Sequence, residues 1–416
     1  MVSPTENTPT LAHQPPVLAK SWVVPRSLYV HVPFCAKQCG YCDFAIAVGR
    51  TDRIDTYLDA VRAELARLVP GGENEPMPMD TWFVGGGTPS LLSAEQLRRL
   101  GRELAARTPL VAGGEASLEA NPESFDDEKA RALSEAGFNR VSLGVQAFEP
   151  GTLAALERPH DASLVARAVA AGRGAGLSVS LDLIFGAPGQ TVRSWREDLR
   201  RAMELGPDHL SLYGLTYERG TPLEKKVRGG LVLPLAEELE RELYDIAMTT
   251  LEAAGYKQYE ISNFAKPGFE SRHNRAYWAN LAHFGVGMGA AGLVAGERTL
   301  NTRDLDRYLR LALAGEETAF QRERLDPLEV AKETLMMNLR RVEGIVASEF
   351  LDRTGLSLDR VFGGAADALV EQGLLARDNQ GLRLTREGRF VADAVIVKLL
   401  AAAPETVEGA YPEGAA

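Results

Sequence analysis

The run Tyr29-Val30-His31-Val32-Pro33-Phe34-Cys35-Ala36-Lys37-Gln38-Cys39-Gly40-Tyr41-Cys42-Asp43-Phe44 holds every cysteine of the 416-residue chain. Three thiols within eight residues make a poor disulfide framework, because their number is odd and such short loops between bridged partners are sterically awkward. Ligation of a metal or cluster is the better reading, and it implies a reducing compartment. The spacing is C-x3-C-x2-C. Thiolates are soft donors suited to iron. A four-iron cubane offered three thiolates keeps one iron open for a ligand that is not protein, and open positions are where metal chemistry happens. A zinc site or three buried thiols is the alternative. Zinc in a structural site wants four protein ligands, and His31 would be the fourth.

Outward from this loop, the sequence alternates. An apolar strand is predicted over 27–32. Ile54, Leu58, Val61, Leu65 and Leu68 share one face of a helix over 53–69. A strand over 81–85 follows, and Ser93 opens a helix with Gln96 three residues later, the pattern of a capping box. The next strand covers 116–121, with a helix over 126–136 that stops at Gly137. A strand over 140–145 leads into helical sequence up to Gly172. Strand 178–186, helix 191–205 and strand 209–215 complete six strand–helix units. Short connections between such units predict an α/β fold with a parallel sheet and crossover helices. Six units are too few for an eight-stranded closure, so the expectation is a partial (β/α)6 barrel. Ligands on such sheets collect at the carboxyl ends of the strands, and the informative residues are expected there.

Residues 216–320 are less regular, with a helix near 235–254. From Pro327 the sequence is helix-rich. A segment over 369–375, a charged Gly turn at 378–381, an apolar run over 382–385 and a final helix from Arg386 resemble a winged helix. From residue 325 onward, acidic residues outnumber basic ones fifteen to ten, which favours a domain that braces the barrel over one that binds DNA. The expected organisation is a disordered tail over 1–25, the core over 26–220, a barrel extension over 221–320, a C-terminal helical, winged-helix-like domain over 321–402, and a second disordered tail over 403–416.

With 45% hydrophobic and 25% charged residues, the composition is that of a soluble globular protein. A net charge of -11 argues against general nucleic-acid affinity. The first twenty residues lack the pattern of a secretory signal, and no stretch is long and apolar enough to span a membrane. The expected location is cytoplasmic.

Several polar residues fall at predicted strand ends. Gly85-Gly86-Gly87-Thr88-Pro89 follows the second strand, and glycines let a backbone approach a ligand closely and expose N–H groups. Glu119-Ala120-Asn121-Pro122 ends the third. Gly144-Val145-Gln146 ends the fourth, with Arg158 twelve residues on. Asp182 lies inside an apolar strand and needs a partner there. An ion pair with Arg158 is one solution.

The C-x3-C-x2-C spacing with an aromatic before its last cysteine resembles the radical S-adenosylmethionine (SAM) superfamily. The flanks Y-x-H-x-P-F-C and C-D-F resemble its coproporphyrinogen-oxidase-like branch, and the resemblance runs from Ser27 to about Leu400. It implies a [4Fe–4S] cluster on Cys35, Cys39 and Cys42. The open iron would chelate the amino and carboxylate groups of SAM, and an electron from the cluster, once reduced by an external donor, would break the sulfonium bond. It also implies that Gly86, Gly87 and Thr88 meet the amino-acid end of SAM and that Glu119 accepts from its ammonium. Gln146, Arg158 and Asp182 would face SAM, Asp182 through a ribose hydroxyl, and Thr216 would approach the adenosine by its backbone. Tyr29 and Tyr41 would pack on the cluster or on SAM.

Within that branch the resemblance leaves two functions: an oxygen-independent coproporphyrinogen III oxidase, or a haem chaperone that hands haem to acceptor proteins. The oxidases carry a fourth cysteine two residues after the third, where this chain has Phe44, and a longer structured N-terminal region. His273-Asn274-Arg275-Ala276-Tyr277-Trp278 matches the H-N-x-x-Y-W motif of the chaperone branch. Histidine is a common axial ligand of haem iron, and Tyr and Trp offer flat apolar surface to a macrocycle. The alternative is that Tyr277 and Trp278 are core aromatics and His273 caps a turn, with His283 or His209 as the next candidate ligands. The expectation is a haem chaperone with exchangeable SAM and no coproporphyrinogen oxidase activity.

Overall fold

The computed structural model describes residues 22–69, 75–158 and 161–406. Residues 1–21 and 407–416, most of the two expected tails, lie outside the described residues.

Six strands carry the architecture: β1 (Ser27–Val32), β2 (Met79–Gly86), β3 (Leu110–Ala120), β4 (Arg140–Gln146), β5 (Ser178–Phe185) and β6 (His209–Gly214). They lie side by side in chain order, all parallel. Helices Ile54–Leu68, Ala94–Arg107, Asp127–Glu135, Ala162–Gly174 and Val192–Glu204 cross between them. Local chemistry sets their starts. The Ser93 hydroxyl accepts from Gln96 N at 3.2 Å and the Gln96 side chain returns to Ser93 N at 2.9 Å, the capping box read from sequence. The predicted helical run up to Gly172 divides into Pro150–Ala155 and Ala162–Gly174, and Glu157 takes a left-handed φ of 57° in between.

Period-two alternation decides what each strand face does. Leu118, Val141, Leu143, Val179, Leu181, Leu210 and Leu212 are buried in the apolar core. Between them alternate Ser117, Glu119, Arg140, Ser142, Ser180, Asp182, His209 and Ser211, which line a cavity of about 370 Å³. His283 and Asn263, from strands at opposite ends of the row, line the same cavity, so the sheet curls around it. A closed barrel of this family of shapes is packed with branched apolar side chains. This one is hollow and polar.

The irregular region extends the sheet at both edges. His283–Val286 pairs parallel with the outer side of β1, and Ala291–Val294, Glu297–Asn301 and Ala319–Arg324 continue antiparallel. Asn263–Ala265 pairs antiparallel with β6 and then with Lys257–Gln258. The outermost strand carries Arg322, Glu323 and Arg324, all exposed, which discourages edge-to-edge pairing.

A separate core of Leu335, Phe350, Phe362, Leu369 and Leu399 holds the C-terminal helical unit together. Its small sheet pairs Gly381–Leu384 with Ile345–Val346 and with Leu375–Arg377. Backbone bonds from Ile261 N to Arg340 O and from Val342 N to Tyr259 O, both 3.0 Å, join it to the barrel. Among the described residues, no helix is long and apolar enough to cross a membrane.

Candidate functional site

The cysteine loop is folded back on itself. Phe34–Cys35 pairs parallel with Ala47–Val48, and Ala47 N donates to Pro33 O at 2.8 Å. Residues 36–46 therefore make a closed excursion, tightened by a 3.3 Å bond from Cys42 N to Cys39 O. Outside elements hold it: Leu223 N donates to Gly40 O at 2.8 Å, and Arg303 Nη2 donates to Asp43 O. Cys35 is buried beside Thr88, Sγ to Oγ1 at 3.5 Å. Arg158 Nη1 donates to Cys39 Sγ at 3.6 Å. Burial pushes the Cys42 thiol up to about 11 and raises that of Cys35.

All three thiols are free. Among the described residues, no three His, Cys, Asp or Glu side chains converge on a single ion. His31 has both ring nitrogens engaged, Nδ1 with Tyr29 OH at 3.0 Å and Nε2 with Ala45 O at 2.7 Å, so it is no fourth ligand for zinc. Three soft donors on one loop suit an iron–sulfur cluster.

The Gly86–Thr88 loop sits against this excursion. A Cβ on Gly86 (φ 110°) would come within 2.5 Å of the His31 ring, and one on Gly87 within 2.6 Å of Pro33. Only glycine permits that approach. The expectation of exposed N–H groups fails here. Gly86 N donates to Glu119 Oε2 at 3.0 Å, while Gly87 N and Thr88 N donate to Val32 O and Phe34 O, both at 2.8 Å. The glycines serve to pack the loop on the cysteine strand.

Glu119 and Asp182 face the cavity together. Burial, reinforced by the negative charge of Asp182, raises Glu119 to about 7. Burial raises Asp182 to about 6, against hydrogen bonds from Ser211 and Ser142, the latter at 2.9 Å. Asp182 thus finds hydroxyl partners, and the Arg158 ion pair is not formed. Arg158 instead donates to Asn121 Oδ1 at 2.9 Å and Gly144 O at 3.0 Å, and its Nε is buried without a partner. Gln146, at a left-handed φ of 64°, brings Nε2 to the same point beside Gly144. Tyr41 packs on the cluster of Leu156, Ile184 and Ala187, next to the Cys39 thiol. Thr216 is exposed just past β6. Tyr29 stacks on Phe83 inside the barrel, ring centroids 6.2 Å apart.

The H-N-x-x-Y-W run is the helix Arg272–Trp278. Glu115 caps its start, accepting from Arg272 N at 2.9 Å, His273 N at 3.1 Å and Ser271 Oγ at 3.2 Å. A carboxylate is favoured at a helix N-terminus. His273 Nδ1 bonds Thr81 Oγ1 at 2.9 Å, and its ring stacks on Phe83 at 5.1 Å. Burial lowers its pKa to about 3, so the ring is neutral. Thr81 lies near the start of β2 and Gly86 closes it, which separates the two by about 17 Å of strand. This helix lies at the amino ends of the strands, contrary to the expectation that all informative residues gather at the carboxyl ends.

His209 is engaged at both nitrogens, with Ser180 Oγ and Tyr259 OH, each at 2.8 Å, which removes it as a candidate ligand. His283 Nδ1 donates to Leu281 O at 3.0 Å, and its ring lies 5.3 Å from that of Tyr277. His273 and His283 both line the cavity with Nε2 uncommitted among the described residues. Tyr277 is 43% exposed, and Arg340 lies over the Trp278 ring at 5.1 Å.

Sequence reasoning missed the polar inner wall, including Ser117, Arg140, Ser142, Ser180, Ser211, Glu260 and Asn263. The signal was present as strict alternation in Ser178-Val-Ser180-Leu-Asp182 and His209-Leu-Ser211-Leu-Tyr213.

Residues 29–202 match the radical SAM superfamily and residues 325–391 the HemN C-terminal domain. The heme chaperone HemW of Bacillus subtilis is 36% identical, over 89% of this chain and 98% of its own. The HemW of Mycobacterium tuberculosis is 36% identical over 90% and 95%. Mouse radical S-adenosyl methionine domain-containing protein 1, mitochondrial, is 35% identical over 90% and 87%. The solved coproporphyrinogen III oxidase HemN of Escherichia coli shares the fold, with a TM-score of 0.78 over 90% of each chain at 24% identity. A cysteine loop at one end of a six-stranded parallel barrel, and kinship over nearly its whole length, place the chain in the HemW family of the radical SAM superfamily.

Proposed function

We propose that this protein is a haem chaperone, which binds haem at the Arg272–Trp278 helix and passes it to acceptor proteins. Cys35, Cys39 and Cys42 hold a [4Fe–4S] cluster, with SAM on its open iron. Together, cluster and SAM supply reductive cleavage chemistry at a sulfonium once an electron donor serves the cluster. The chain's own part is positional. Arg158 steadies Cys39, Glu119 stands ready for the SAM ammonium, and Asp182, buffered by Ser142 and Ser211, for a hydroxyl.

The observation that carries the chaperone reading is the built state of the H-N-x-x-Y-W helix. Its start is capped by Glu115, its histidine is neutral with Nε2 uncommitted, and its tyrosine is exposed at the cavity edge. Haem meets the helix over Tyr277 and Trp278, with His273 or His283 as the iron ligand, all four of which line the cavity. Phe44, 59% exposed where an oxidase has its fourth cysteine, supports the same reading.

The deciding experiment is anaerobic reconstitution with iron and sulfide, followed by haem titration and by incubation with SAM and coproporphyrinogen III. A Soret band without porphyrinogen decarboxylation is the expected result. Robust protoporphyrinogen formation would overturn the reading.

A further inference from the structure

Four buried polar atoms on the floor of the barrel cavity make no hydrogen bond to the described protein: Ser117 Oγ, Arg140 Nη2, Glu260 Oε2 and Asn263 Oδ1. Their residues are only 2%, 5%, 1% and 3% exposed, and all four line the same chamber. Buried polar groups are nearly always paired, because leaving one bare forfeits its hydration with nothing in return. Thirteen side-chain atoms among the described residues share this condition, and four of them converge here.

The surroundings fix the chemistry. Arg140 commits only Nη1, to Phe269 O at 2.8 Å, with Glu115 4.0 Å away. Glu115 also caps the Arg272–Trp278 helix and Asp182 lies within electrostatic reach, so the guanidinium is balanced in charge while Nη2 keeps no acceptor of its own among the described residues. Glu260 Oε1 accepts from Asn263 Nδ2, and the backbone N–H groups of Ser262 and Asn263 also face the carboxylate, while Oε2 keeps no partner of its own among the described residues. The floor thus offers one cationic donor and one hydroxyl on one side, and one carboxylate oxygen and one amide oxygen on the other. Arg140 and Ser117 suit a ligand carboxylate. Glu260 and Asn263 suit an ammonium or hydroxyl donor.

We propose that the chamber floor is a binding site for a small amphoteric organic acid, an amino acid or a hydroxy acid. None of the four floor residues belongs to the cysteine loop or the haem helix, but Glu119, Asp182 and His273 line the same chamber, so the test is built to tell the floor ligand from SAM and haem.

The test uses the full chain with its cluster reconstituted anaerobically, with and without SAM. Lactate, L-serine and propionate serve as probes in equilibrium dialysis. Lactate or L-serine should bind saturably and more tightly than propionate. Ser117→Ala, which removes no existing hydrogen bond and so spares the fold, should weaken that binding several-fold. Arg140→Lys should weaken it further, and Glu260→Gln should erase the preference over propionate. Haem binding should be unchanged in Ser117→Ala, which separates this site from the haem site. Absence of saturable binding by all three probes, indifference of bound probe to both Ser117→Ala and Arg140→Lys, or a soaked crystal showing ordered water only at the floor would each overturn the proposal.

Discussion

His273 Nδ1 lies 2.9 Å from Thr81 Oγ1, so the first residue of the H-N-x-x-Y-W run is tied to the start of β2, five residues before Gly86. One strand thereby holds the Arg272–Trp278 helix at one end and the loop that backs the cysteines at the other. Thr81→Val keeps the side-chain shape and removes the bond. Partners that orient a metal-binding histidine are worth about 10- to 100-fold in affinity. Thr81→Val should weaken haem binding within that range and shift the Soret maximum, and His273→Ala should weaken it at least as much. Unchanged titration in His273→Ala would move the iron ligand to His283.

The cluster prediction concerns Arg158 and the three thiolates. Hydrogen bonds to cluster sulfurs help set the reduction potential. Arg158→Met removes the bond to Cys39 and a nearby positive charge, so the potential should fall in an EPR-monitored redox titration. Alanine at Cys35, Cys39 or Cys42 should yield protein with far fewer than four irons and four sulfides. Full retention in any of the three would contradict the assignment.

The paired carboxyls predict a pH dependence of defined sign. Burial holds Glu119 at about 7 and Asp182 at about 6, above their ordinary values of 4.5 and 3.8. A carboxyl that binds its proton more tightly when folded makes the fold lose stability as pH rises through that interval. Cluster-free Glu119→Gln should therefore melt above the parent at pH 7.5, with the advantage shrinking toward pH 5. The same substitution should weaken SAM binding. A melting gap that widens on acidification would refute the sign.

A fourth prediction tests the C-terminal unit as a brace. Arg353 is pushed down to about 10 by burial and donates to Ala279 O and Asn280 O, just past the Arg272–Trp278 helix. Asn338 Nδ2 donates to Trp278 O at 3.2 Å. Arg353→Ala leaves two carbonyls short of a partner and should cost about 1–3 kcal/mol in urea denaturation. It should also loosen haem binding while leaving the cluster's EPR signal intact, with Arg353→Lys recovering part of the loss. Equal damage to both sites would point to general unfolding.

The sequence made the six strands and their crossover helices legible because each is long enough to show its period and most helices open on a recognisable cap, as Ser93 and Thr191 do. The sheet extensions were not legible, because Lys257–Gln258, Asn263–Ala265 and His283–Val286 have only two to four residues and their pairing is set by distant partners. The cysteine loop could be read from spacing alone. The inner wall was hidden because apolar residues facing the helices made each strand read as buried, which masked the alternate polar positions. The direction of the Arg272–Trp278 helix depends on Glu115 and Thr81, more than 150 residues earlier, and no local pattern encodes it.

Strand β1, which leads directly into Cys35, has β2 on one flank and His283–Val286 on the other. That second neighbour lies some 250 residues downstream, so on a translating ribosome β1 remains a sheet edge until about two-thirds of the polypeptide has been made. Contacts of such long sequence separation form late. The strand that delivers Cys35 is thus completed on both flanks only when the chain has been made through Val286.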